Sequence, residues 1–65
     1  MWLLTKLQRI IFRALEWERE HPDKRGWTLN DVEAHPAELI RLIREGKVEV
    51  VGENAYRRRL YRIKR

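Results

Sequence analysis

The sequence predicts an α+β fold: three helices and a C-terminal two-stranded β-hairpin, in the order α-β-α-α-β-β. Three observations carry that expectation. Apolar residues recur at helical spacing over residues 2–19. Two helix starts, Thr28 with Asp31 three residues on and Pro36 after His35, precede a stop at Gly46. From Lys47 the apolar period drops to two. With 65 residues and no cysteine, the chain reads as one domain, residues 1–65, near the lower limit for a self-sufficient core.

In the first helix Leu4, Leu7, Ile11, Ala14 and Leu15 form the apolar stripe, widened by Leu3 and Ile10, with Arg9, Arg13 and Glu16 opposite. Trp2 and Phe12 fall off the stripe and read either as scattered surface hydrophobes or as the contact of a homodimer through this helix. Glu16, Glu18 and Glu20, flanked by Arg13 and Arg19, read as a solvated face. The helix should end near Glu20, because the residue before Pro22 is pushed out of helical space. Asp23 to Gly26 then reads as a turn and Trp27-Thr28-Leu29 as a short extended piece, with Trp27 in the core.

Thr28 and Asp31 should open a short helix to about Ala34, with Leu29 and Val32 facing inward. The third helix, Pro36 to Glu45, should bury Leu39, Ile40, Leu42 and Ile43 and expose Ala37, Glu38, Arg41, Arg44 and Glu45. Val48 and Val50 then alternate with Lys47 and Glu49 in a strand that pins to the core. Gly52 to Ala55 reads as a loop, and Tyr56 to Lys64 as the returning strand, with Tyr61 and Ile63 on one face with Arg57 and Arg59.

Charge is distributed unevenly. The chain holds 15 Lys and Arg against 10 Asp and Glu. Six of the bases, Arg57, Arg58, Arg59, Arg62, Lys64 and Arg65, lie in the last nine residues, which contain no acid. The preceding residues therefore carry nine bases and ten acids. Localised positive charge points to an anionic partner. No apolar run reaches the roughly 20 residues of a membrane span. The start Met-Trp-Leu-Leu-Thr-Lys reads against a signal peptide. The expectation is a cytoplasmic, intracellular protein that does not enter membranes; its high charge and few Asn and Gln resemble a thermophile's composition.

Two stretches, "LIRLIREGKVEVV" at residues 39–51 and "RRRLYRIK" at residues 57–64, together resemble a winged-helix (winged helix-turn-helix) domain. Regulators of the PadR and MarR kind show an apolar helix ending in Leu-x-x-x-Gly-hydrophobic, then a wing strand of the form Arg-x-x-Tyr-Arg-Leu/Ile. Leu42 or Ile43, Gly46 and Val48 match the first part, and Arg58, Tyr61, Arg62 and Ile63 the second. Between Thr28 and Gly46 this chain is shorter than that pattern: its first helix is little more than one turn, and His35-Pro36 makes the turn. The resemblance implies a stiff ribbon displaying arginines to phosphates or a minor groove, and a third helix whose Arg41 and Arg44 can meet guanine edges.

The expected function is nucleic-acid binding, most of all to double-stranded DNA, as a transcription regulator or chromatin-type protein. Its candidate contacts are Arg41, Arg44, Lys47, Arg57, Arg58, Arg59, Arg62 and Lys64. Glu38 and Glu45 share the face of helix three, which favours binding dominated by the wing. The alternative is a winged-helix adaptor within a larger protein complex; RNA is a third partner. No enzyme, cofactor or metal is expected. His21 and His35 each precede a proline and read as helix punctuation, and no nucleophile triad or phosphate loop occurs.

Overall fold

A computed structural model describes residues 5–65. Helix α1 spans Lys6–Glu20, α2 Leu29–Val32 and α3 Pro36–Arg44; strands β1, Val48–Glu53, and β2, Arg59–Ile63, form an antiparallel hairpin. The expected contributions of Trp2, Leu3 and Leu4 lie outside the described residues. Trp27 adds a single antiparallel bridge to Tyr61, through Trp27 N to Tyr61 O at 2.9 Å and Tyr61 N to Trp27 O at 2.8 Å. This bridge is the short extended piece read between the first two helices.

Local chemistry accounts for the helix ends. Thr5, Thr28 and His35 each cap a helix N-terminus reciprocally with Gln8, Asp31 and Glu38, so orphan amides at all three starts are satisfied. At the end of α3, Gly46 takes φ 73° and its N–H donates to Ile43 O, while Lys47 N–H donates to Leu42 O. That paired closure needs a left-handed residue, which glycine supplies without strain.

The core gathers Ile10 and Ala14 of α1, Trp27, Val32 of α2, Leu39 and Leu42 of α3, Val48 of β1 and Tyr61 of β2. Trp27 and Tyr61 lie with ring centroids 5.6 Å apart. Gly26 permits this closeness: a β-carbon there would stand 2.7 Å from Tyr61 O. Tyr61→Ala is expected to cost about 3 kcal/mol, as for other buried aromatics. Urea denaturation followed by circular dichroism measures it, and a change under about 0.5 kcal/mol would mean that Tyr61 does not hold the hairpin to the core.

Five expectations are corrected. The stripe of α1 is rotated: Leu15 is exposed and Trp17 is half-buried instead, packed on the core and stacked on His21 at 4.4 Å. In α3, Leu39, Leu42 and Ile43 face inward, but Ile40 lies one residue round the helix and is 53% exposed. In β1 only Val48 is buried. Val50, in regular register with Tyr61, is exposed, and beyond it a bulge between Val50 and Gly52 breaks the alternation, with Val51 half-buried. The hairpin's loop is also displaced along the chain. β1 continues through Gly52 to Glu53, and β2 starts only at Arg59, so Tyr56, Arg57 and Arg58 belong to the loop and not to a strand.

The largest correction concerns Glu18, read from sequence as solvated and found 5% exposed. Its Oε2 accepts from Trp27 Nε1 at 2.9 Å and from the Ile63 backbone N–H at 2.8 Å. Its Oε1 accepts from Arg65 Nη2 at 3.0 Å and pairs with Arg62 Nη2 at 3.4 Å. A buried carboxylate is tolerable only when paired and fully hydrogen-bonded. These donors meet that requirement, and they tie α1 to Trp27 and to the end of β2.

Candidate nucleic-acid interface

The tip of the hairpin is a five-residue connection, Asn54 to Arg58, between β1 and β2. Asn54 organises it. Its Oδ1 accepts from the Tyr56 N–H at 2.9 Å and the Arg58 N–H at 3.0 Å, its N–H donates to Arg58 O at 2.9 Å, and its carbonyl accepts from Arg57 N–H at 3.0 Å. Asparagine suits this because its short side chain mimics a backbone acceptor. Arg57 takes φ 62°, a left-handed conformation in which glycine is the default residue.

Tyr56, Arg57, Arg58 and Arg59 are all exposed on this ordered loop and the first strand residue after it. Among the described residues none of the three arginines makes an ion pair. Glu53 stands opposite Arg59 in the ladder and is the acid nearest in register. The loop is thus a cationic point with an aromatic ring beside it.

The remaining predicted contacts divide by what holds them. Arg41 Nε lies 3.2 Å from Glu45 Oε2, and Lys47 Nζ lies 3.4 Å from Glu45 Oε1. The hydrogen bond from Arg41, and after it that from Lys47, hold the Glu45 carboxyl below the usual carboxylate range. Glu45 therefore stays charged to lower pH than an isolated carboxyl. Arg44, in the last turn of α3, is exposed and makes no ion pair among the described residues, and Lys64 is exposed likewise. Arg62 differs. Its guanidinium reaches Glu18 and donates from Nη1 to Lys24 O at 3.3 Å and Arg25 O at 3.1 Å. That side chain is occupied in joining β2 to the loop before Trp27. Arg65 is likewise drawn to Glu18.

Sequence reasoning missed two members of this surface. Tyr56 was read as the start of a strand; its exposure follows from the loop that Asn54 closes, and the Asn-x-Tyr spacing is the available signal. Arg25 was read only as part of a turn. Its guanidinium lies against Gly52, where a β-carbon would come within 2.9 Å of Arg25 Cζ, so it adds a cation to the hairpin's flank.

The two histidines serve the helix ends. His35 Nδ1 accepts from Ala37 N–H at 3.2 Å, and His21 closes α1 through its N–H to Trp17 O. Among the described residues no cluster of three or more His, Cys, Asp or Glu could hold a metal ion. Among the described residues no helix is long and apolar enough to cross a membrane. No family model matches the chain, and neither does any curated protein or solved structure.

Proposed function

We propose that this protein binds double-stranded DNA through its C-terminal β-hairpin, as a winged-helix domain whose wing dominates the contact, in a regulatory or chromatin role. The observation that carries the reading is the ordered tip on which Arg57, Arg58 and Arg59 stand exposed and free of ion pairs among the described residues. Arginine's planar fork suits phosphate oxygens, and a narrow minor groove attracts it. The order of elements and the bridge of Trp27 to the hairpin support the winged-helix assignment. Arg44 and Lys64 are the accessory contacts. Arg41 and Lys47 contribute less because both pair with the Glu45 carboxylate, which offsets one of their two charges, and Arg62 serves the fold.

A titration of random duplex DNA across a salt series tests the proposal. Each neutralised phosphate contributes about −0.9 to the slope of log affinity against log salt, so contacts from Arg44, Arg57, Arg58, Arg59 and Lys64 give roughly −4 to −5. No binding at low salt would remove the DNA reading.

An adaptor function in a protein complex is the second reading, favoured by the compensated charges of α3 and by Phe12, 61% exposed, beside Leu15 on α1. A second copy of the chain suits that α1 face, because Phe12 and Leu15 are exposed there side by side, while the rim residues Glu16 and Arg19 pair with each other at 2.7 Å within the helix. Sedimentation of the wild type and of Phe12→Glu at equal concentration is expected to show a dimer that the substitution dissociates. A monomeric wild type at high concentration disposes of it.

A further inference from the structure

We infer that Tyr56 is a base-stacking probe: the hairpin tip inserts this ring against an unstacked nucleobase while Arg57 and Arg58 hold the flanking phosphates. The inference rests on the DNA-binding reading and adds the kind of DNA preferred, duplex with a locally unpaired or weakened step.

Tyr56 is 84% exposed, more than any other large hydrophobic side chain described. It covers no part of the core. Yet its backbone is not loose, since Asn54 Oδ1 receives the Tyr56 N–H and, two residues later, the Arg58 N–H. The ring therefore projects from a fixed point, which lowers the entropic cost of placing it against a ligand. Arg57 beside it adopts φ 62°, where glycine would be unstrained. The neighbours of Tyr56 supply the chemistry: Arg57 and Arg58 directly follow the exposed ring in the loop, so a base stacked on Tyr56 brings the adjoining phosphates within reach of two cations. Stacking tolerates any base because each has a π face. Opening a paired step costs least where pairing is already lost, so a mismatch is the favoured target.

The test compares wild type, Tyr56→Phe and Tyr56→Ala on two duplexes of equal length, one fully paired and one with a central mismatch. Wild type is expected to prefer the mismatched duplex. Tyr56→Ala should lose roughly 10-fold or more in affinity for it, as for removal of one stacked base. Tyr56→Phe should retain affinity, because stacking needs the ring and not the hydroxyl. The salt slope should be the same in all three proteins, since no charge changes. Tyr56→Ala binding both duplexes as the wild type does would overturn the stacking role while leaving DNA binding intact. A loss in Tyr56→Phe equal to that in Tyr56→Ala would overturn it too, by assigning the effect to the hydroxyl. No binding to either duplex would overturn this inference and the DNA reading together.

Discussion

Glu18→Ala is expected to destabilise the fold by about 3–5 kcal/mol, the cost of breaking a buried, hydrogen-bonded charge network by removing one partner. The substitution leaves the Trp27 indole N–H and the Ile63 amide without their acceptor, and both lie where α1 meets the hairpin. It also strips Arg62 and Arg65 of their counter-charge. In so small a domain that loss approaches the whole stability, so the variant should be largely unfolded at room temperature. Glu18→Gln should cost less, because an amide oxygen can still accept from one of those donors. Thermal and urea melts followed by circular dichroism compare the three proteins. A cost below about 1 kcal/mol for Glu18→Ala would mean that this network does not hold the hairpin against α1.

Replacing Arg57, Arg58 and Arg59 together with serine should leave the fold in place and remove most of the affinity for DNA. None of the three is buried, and the strand they lead into remains anchored by Tyr61, which packs on Trp27. The far-ultraviolet spectrum and a cooperative melt should therefore match the wild type. The salt slope for random duplex should flatten by about 2 to 3 units, since three phosphate contacts are lost. The fall in affinity should be nearly the same for every sequence, because phosphate contacts position a protein without reading bases. An unchanged slope would move the anionic grip elsewhere, to Arg44 and the flank that Arg25 shares with Gly52. An unfolded variant would show that the tip arginines support the hairpin itself.

Much of the fold was legible in sequence because its determinants are local. The capping pair Thr28–Asp31, the His35–Pro36 start and Gly46 at the end of α3 act within one helical turn, and the structure has the element order they imply. The cluster of Arg57, Arg58 and Arg59 was equally visible, being contiguous and free of acids. Three decisions were tertiary. Whether Glu18 faces solvent depended on donors from Trp27, Ile63 and Arg65, up to 47 residues away. Its spacing from Ile11 and Ala14 places it on the core stripe, but its charge argued the other way, and only the arriving donors resolve that conflict. The fate of Arg62 and Arg65 was likewise decided by an acid met in space, whereas the pairs of Arg41 and Lys47 with Glu45 are local. Glu45 claims Arg41 and Lys47, Glu18 claims Arg62 and Arg65, and the tip arginines are left to solvent. The bulge beyond Val50 carries β1 on to Glu53, and Tyr56 lies in the loop before β2 starts at Arg59. Local sequence determined which elements form, because caps and periodicity act over a few residues. Tertiary structure decided which charges remain available, because that depends on groups brought together from opposite ends of the chain.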